Sequence, residues 1–276
     1  MKIRAVLLDM DGTLLGKSQV AVSTRNMRAI QRAIQKGVSV IPCTGRVLDM
    51  LPPQLITQEG LRYFVTCHGA RVVDSEKNET LYEDMIPPEE AAQLMALLEG
   101  RGLYNEIAAN ATIYLEKTIA DTLDRQPVPE HHLWYMRDRC YTALEKPSEF
   151  MRKNGVGVEK MNIYGVPAEL QQEIYDAVTA TGFIKHTRLG AGPNLEFSHR
   201  TLDKIKATDT LLEKLGISYA ETMAIGDSSS DLEIIRRCGV GVAMGNAPEN
   251  IKREADDVTV VNTEDGVALA FEKYVL

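Results

Sequence analysis

Residues 6–15 read Val-Leu-Leu-Asp-Met-Asp-Gly-Thr-Leu-Leu. The mostly apolar run Ile3–Leu8 predicts a short strand, and Gly12 follows at once as a turn residue. Such a strand delivers Asp9 and Asp11 to its carboxyl end, where open α/β sheets bind their ligands. Residues two apart on an extended chain point to the same side, so both carboxylates can converge on one small volume. Like charges that close are costly unless a cation or a shared proton relieves them. Mg²⁺ suits the pair, because it takes hard oxygen ligands and needs only one or two protein carboxylates besides water and phosphate. An ordinary acidic loop after a strand remains the alternative.

Around this stretch the chain is built like an ordinary large domain, or one core with a smaller companion. It has 276 residues, 44% of them hydrophobic, and a net charge of −8 from 39 acidic and 31 basic residues. There is no basic block, which argues against nucleic acid or an anionic membrane as partner. Cys43, Cys67, Cys140 and Cys238 are widely spaced and make no Cys-x-x-Cys pair, so free thiols in a reducing cytoplasm are expected. Asp9 interrupts the apolar run at the N-terminus, and neither a signal peptide nor a membrane span is expected.

The first and last thirds alternate strand and helix signals. Expected in the first are strands at Ile3–Leu8, Val38–Pro42 and Tyr63–Cys67, and a helix from a Ser23 cap to Lys36. A helix from about Val47, despite Pro52-Pro53, and a hairpin of Gly69–Val73 with Leu81–Asp84 complete it. The last third predicts helices Thr201–Leu215, Asp231–Cys238, Pro248–Ala255 and Gly266–Tyr274. Its strands are expected at Glu221–Ile225, Val240–Met244 and Val258–Val261. This alternation predicts an α/β fold, a Rossmann-like parallel sheet core flanked by helices. Between about Pro87 and Asn194 the pattern changes to long helices and alternating stretches, with a polar, broken region at Pro127–Pro147. That segment is long enough to be a smaller inserted α/β domain. The expected boundaries are 1–85 and 195–276 for the core, and 86–194 for the insertion.

Other residues of the expected core sit where a phosphate site would need them. Thr44-Gly45 follows the second strand, and a hydroxyl with exposed backbone N–H groups there can bind phosphate oxygens; a plain turn is the alternative. Lys204 lies near a helix start and is a compact positive charge, although Lys206 is close by and either could be a solvated surface lysine. Gly226-Asp227-Ser228-Ser229-Ser230-Asp231 follows a strand, and by itself a Ser-rich acidic turn before a helix is an ordinary N-terminal cap.

In this order, the segments resemble the four motifs of haloacid dehalogenase-like phosphotransferases, and more narrowly the Cof-type phosphatases with a type IIB cap. Asp9-Met10-Asp11-Gly12-Thr13 is similar to the first motif, Thr44-Gly45-Arg46 to the second, and Lys204 to the third. Asn194-Leu195-Glu196 stands before Lys204 at the branch's spacing. Gly226–Asp231 resembles the fourth motif, and Gly245-Asn246-Ala247 a further segment of the branch. The chain departs from the branch at Ile205, where Gly is usual after the lysine, and at Ser230, where Asn is usual. His68 stands where the branch has Asn and could line the core side of the cleft.

The resemblance implies a Mg²⁺-dependent phosphatase acting on a small phosphorylated metabolite, a sugar phosphate or similar phosphomonoester. Asp9 would be the nucleophile that becomes an aspartyl phosphate, needing no base because a carboxylate is already an anion. Asp11 would be the general acid and then base, if its crowded carboxyl holds a proton near neutral pH. The metal ligands implied are Asp9, Asp11 through its backbone carbonyl, Asp227 and Asp231. Phosphate contacts are implied for Met10, Thr44, Gly45, Lys204, Ser230 and Asn246. The inserted cap would select the leaving group, with Glu106, Asn110 and Arg188 as candidates. A monomer or weak homodimer is expected. A phosphomutase of the same superfamily is the first alternative. A phospho-accepting receiver module is the second, though receivers are about half this length and lack a cap.

Overall fold

The computed structural model describes residues 2–138, 141–188 and 194–276. In chain order the first elements are β1 (Ala5–Leu8), α1 (Thr24–Gln35), β2 (Ser39–Pro42), α2 (Pro53–Ile56), β3 (Tyr63–Thr66), β4 (Arg71–Asp74) and β5 (Glu79–Glu83). Then come α3 (Pro88–Ala96), β6 (Asn105–Ala109), β7 (Thr112–Glu116), α4 (Lys117–Ala120), α5 (Glu130–Asp138), β8 (Thr142–Leu144), α6 (Pro147–Asn154), β9 (Lys160–Ile163), α7 (Ala168–Thr181), β10 (Ile184–Arg188) and β11 (Leu195–His199). The chain closes with α8 (Lys204–Leu215), β12 (Thr222–Gly226), α9 (Leu232–Arg237), β13 (Val240–Ala243), α10 (Glu249–Lys252), β14 (Asp257–Val258) and α11 (Gly266–Tyr274).

Two compact units result. One comprises Met1–Arg46, Leu51–Glu83 and Asp203–Leu276; the other comprises Val47–Met50 and Asp84–Leu202. The first is an α/β core whose sheet runs in the order β14-β13-β12-β1-β2 with every pairing parallel. β1 lies between β12 and β2, with Ala5 opposite both Thr222 and Ser39. All four β1 residues are buried, as an unbroken apolar run in a covered parallel sheet must be. Leu7 and Leu8 together contribute roughly 3–6 kcal/mol of apolar burial. Ala5, Leu7 and Ile41 join Ala207 and Leu211 of α8 and Ile234 and Ile235 of α9 in one apolar cluster. α1 packs on α11. The antiparallel trio β3-β4-β5 continues from β2 through a bridge between Cys43 and Val65.

The order matters for the site. The chain passes from β1 to β2 on one side, while β12 lies on the other. The carboxyl ends of β1 and β12 therefore open at a point where the winding reverses, the place ligands occupy in such sheets. Local signals fix the helix starts. Ser23 caps α1 by accepting from the Asn26 N–H at 3.1 Å, and Asp203 caps α8 by accepting from the Ile205 N–H at 2.8 Å.

The second unit has the sheet order β10-β11-β9-β6-β7-β8, antiparallel except for β7 with β8. Ile107, Met161 and Phe197 pack on Leu94 of α3, Met151 of α6 and Ile174 of α7. The other face carries Glu106, Asn162 and Glu196 in register.

Several boundaries differ from expectation. β11 pairs with β9 and β10, so residues 195–202 fold with the inserted unit and not with the core. The helix expected from Val47 breaks into a short 3-10 turn at Leu48–Met50 and α2 after Pro52, because proline disfavours the helical conformation in the residue before it. α8 begins at Lys204 and not Thr201, where the Asp203 cap sets it. The broken region at 127–147 contains α5, whose Leu133, Tyr135 and Met136 are buried. β14 is shorter than expected and starts one residue earlier. Cys43, Cys67 and Cys238 are buried, and Cys140 lies outside the described residues. Among the described residues, no helix is long and apolar enough to cross a membrane.

Candidate active site

Two strand ends and two helix starts of the core unit bring the charged residues together. Asp9 leaves β1, and its N–H donates to the Ile225 carbonyl of β12 at 3.0 Å. Asp227 follows β12 directly. Asp231 immediately precedes α9, and Lys204 is the first residue of α8. Carboxylate oxygens of Asp9, Asp227 and Asp231 all lie within 4.8 Å of one another.

Lys204 Nζ donates to Asp231 Oδ1 at 2.8 Å. Asp231 Oδ2 accepts from the Ser228 N–H at 3.1 Å and the Ser228 hydroxyl at 2.9 Å. Burial opposes the charge on Asp231, but Lys204 and Ser228 outweigh it and hold the carboxyl below the ordinary aspartate range. Burial likewise opposes the Lys204 charge, yet Asp231 and Asp9 keep its ammonium above the usual lysine value. Asp9 goes the other way. Burial, and then Asp231 and Asp227, push it well above the usual range despite Lys204. Asp227 is raised too, chiefly by burial.

One ammonium therefore faces three carboxylates, and two of the acids are held in a state that disfavours their charge. The donors are all oxygens, and the Asp231 carboxylate already has the Lys204 ammonium as its cation. A hard divalent cation taken by Asp9 and Asp227 would fit this set. Thr13 Oγ1 donates to Asp227 Oδ1 at 3.1 Å and Asn246 Nδ2 to Asp227 Oδ2 at 3.3 Å, which fixes that carboxylate from both sides. Gly12 has φ +79°, and a Cβ there would sit 2.3 Å from Asp227 Oδ2, so the turn after Asp11 admits only glycine.

Asp11 stands apart from the three. Its carboxylate is half-exposed and is gripped by Arg46, with Nε to Oδ2 at 2.8 Å and Nη2 to Oδ1 at 2.5 Å. Arg46 is buried and also donates to the Gln19 carbonyl at 3.0 Å. Arg46 belongs to the Thr44-Gly45-Arg46 segment, but the sequence reading gives it no role. Its position two residues after the strand-end Thr44 is the signal that could have found it.

The remaining expected residues fall as follows. Met10 has a fully buried side chain, which leaves only its backbone to face a phosphate. Thr44 is buried and its hydroxyl accepts from the Arg46 N–H at 3.1 Å. Gly45 lies under the His68 ring, and a Cβ would meet that ring at 2.4 Å. His68 itself has φ 56° and donates its N–H to the Thr44 carbonyl, so it shapes this loop. Ser230 is exposed, and its hydroxyl pairs with that of Ser228 at 2.8 Å. Asn246 is turned toward Gly12 and Asp227.

In the inserted unit, Glu106 is buried within a network of its own. It accepts from Tyr104 at 3.1 Å and Asn162 at 2.6 Å, and meets His132 Nε2 at 2.5 Å. Asn110 lies in the β6–β7 turn and donates to the Tyr114 hydroxyl at 3.3 Å. The Arg188 side chain lies outside the described residues.

Comparison with known proteins gives the same family as the motifs. Residues 6–271 match the model of the haloacid dehalogenase-like hydrolases. The chain is 28% identical to the phosphatase YwpJ of Bacillus subtilis, over 96% of this chain and 98% of that protein. It is 29% identical to the 5-amino-6-(5-phospho-D-ribitylamino)uracil phosphatase YcsE of the same organism, over 99% and 96%. A solved haloacid dehalogenase-like hydrolase from Bacteroides thetaiotaomicron superposes with a TM-score of 0.82 at 29% identity, covering 99% of each chain. The chain is an enzyme that belongs to the haloacid dehalogenase-like hydrolases.

Proposed function

We propose that this hydrolase is a Mg²⁺-dependent phosphatase that cleaves a small phosphorylated metabolite through an aspartyl phosphate on Asp9. The observation that carries the proposal is the burial of Asp9 at the end of β1 among Asp227, Asp231 and Lys204. Burial and the neighbouring carboxylates disfavour the charge of Asp9, so a bound cation beside Lys204 would be needed to make it the anionic nucleophile, which then requires no activating base.

Asp9 attacks phosphorus, a bond forms between its oxygen and phosphorus, and the ester bond to the alcohol breaks. Asp11 gives a proton to the departing oxygen. Water then attacks phosphorus, Asp11 takes its proton, and Asp9 is released with phosphate. Lys204 and the Thr44-Gly45 loop stabilise charge on the phosphoryl oxygens. When bound, Mg²⁺ would supply charge neutralisation to the same oxygens, held by Asp9, Asp227 and the backbone of Asp11. Asp231 holds Lys204 in place. The buried Cys43, Cys67 and Cys238 suit a cytoplasmic setting.

The test is phosphate release from p-nitrophenyl phosphate and a metabolite panel. Release that needs Mg²⁺ and is lost in Asp9→Asn supports the proposal. Equal release by wild type and Asp9→Asn, or none from wild type on any substrate, refutes it.

A further inference from the structure

Asn246 is exposed, yet the structure uses every polar atom of its side-chain amide. Oδ1 accepts from the Asn262 N–H at 3.0 Å. Nδ2 donates to the Gly12 carbonyl at 2.8 Å and to Asp227 Oδ2 at 3.3 Å. An asparagine has two N–H donors, and both are committed to oxygens of the protein. The amide orientation follows from its partners, since an N–H group faces one end and two oxygens face the other. No donor is left for a phosphate oxygen, which removes the direct phosphate contact expected from the sequence.

Asn246 instead joins the two halves of a tight contact. Gly12 lies hard against Asp227, and Asn246 holds the backbone of one and the carboxylate of the other. A second asparagine secures the same loop, because Asn262 Nδ2 donates to the Leu15 carbonyl at 2.7 Å. The turn after β13 that presents Asn246 is itself pinned to this region by Met244 N–H to the Gly226 carbonyl at 3.0 Å. Asp227 Oδ1 has its own donor in Thr13. Removing Asn246 frees Oδ2 to rotate and loosens the loop that begins at Asp11.

We propose that Asn246 is a positioning residue for the divalent cation, acting by donating to Asp227 and to the Gly12 carbonyl, and makes no contact with phosphate. This rests on the Mg²⁺ assignment proposed above. Loss of a group that orients a metal ligand typically weakens metal binding by about 10- to 100-fold. The substitution Asn246→Asp separates donation from charge. The introduced carboxylate would keep an acceptor for the Asn262 N–H and add a negative charge, but both amide donors would be lost.

The measurement is calorimetric titration of Mg²⁺ alone into substrate-free wild type, Asn246→Ala and Asn246→Asp, with thermal melts in chelator to check folding. It is joined by KM for p-nitrophenyl phosphate at saturating Mg²⁺. Expected is a Mg²⁺ Kd raised by about tenfold or more in both variants, with KM for the ester changed by less than about twofold. Unchanged Mg²⁺ affinity with a raised KM would overturn the proposal and restore a phosphate contact. Tighter Mg²⁺ binding in Asn246→Asp would overturn it too, since charge and not donation would then govern. A wild type that binds no Mg²⁺ would refute the metal assignment itself, and the proposal with it.

Discussion

Arg46 grips both carboxylate oxygens of Asp11, through Nε at 2.8 Å and Nη2 at 2.5 Å. A planar guanidinium on a carboxylate fixes direction as well as charge. Asp11 is the residue proposed to move protons, and in this arrangement both of its carboxylate oxygens are held by an arginine. Turnover therefore requires the pair to loosen and re-form. Arg46→Ala is expected to lower kcat by about 10- to 100-fold and to displace the pH–rate profile. Arg46→Lys keeps the charge without the fork and should fall between the two. Steady-state rates across pH check this; a kcat for Arg46→Ala equal to wild type at every pH contradicts it.

The buried Lys204–Asp231 pair should behave as a unit. Removing one partner leaves the other charge uncompensated in the interior, at a cost of about 3–5 kcal/mol. Lys204→Ala and Asp231→Asn should each lose stability and activity. The double variant should be less destabilised than the sum of the two. Denaturant unfolding of all four proteins measures the coupling.

Asp9 and Asp231 give stability of opposite pH sign. The Asp9 carboxyl is raised in the folded protein by burial and by Asp231 and Asp227. Its contribution is present below the ordinary aspartate value of about 4 and is lost as pH rises toward the folded value. Asp231 is lowered, despite burial, by Lys204 and Ser228, so its contribution is present above that value and is lost on acidification. In chelator, thermal stability should fall as pH rises from mildly acid values. Asp9→Asn should remove that fall while raising Tm. Mg²⁺ should bind more tightly as pH rises and release protons, which calorimetry in buffers of different ionisation enthalpy detects.

Gly45 carries no side chain because the His68 ring occupies the space a Cβ would need. Gly45→Ala should push that ring or distort the Thr44 loop and lower activity. His68→Gly, which also suits the positive φ of this residue, should restore most of the loss when combined with Gly45→Ala. If the double variant is no more active than Gly45→Ala alone, the ring is not the obstacle.

Much of the fold was legible because its signals are local. The apolar run of β1, the Ser23 cap and the strand-end positions of Asp9, Thr44 and Asp227 each follow from a few consecutive residues. The missing parts depend on partners far along the chain. Arg46 reaches Asp11 across 35 positions, and Asn246 reaches Gly12 across 234. Neither pairing leaves a trace in spacing. The sequence reading starts α8 at Thr201, whereas the Asp203 side chain, which holds the Ile205 N–H, sets the start at Lys204. Residues 195–199 look like any apolar strand, so only their pairing with β9 and β10 assigns them to the inserted unit.

The central claim is that Asp9 carries the phosphoryl group. Acid quenching of the enzyme during turnover of p-nitrophenyl phosphate, followed by peptide mass spectrometry, tests it most directly. The account predicts phosphate on the peptide containing Asp9, more of it in Asp11→Asn, where water attack lacks its base, and none in Asp9→Asn. Phosphate on another residue, or turnover by Asp9→Asn at the wild-type rate, would contradict it.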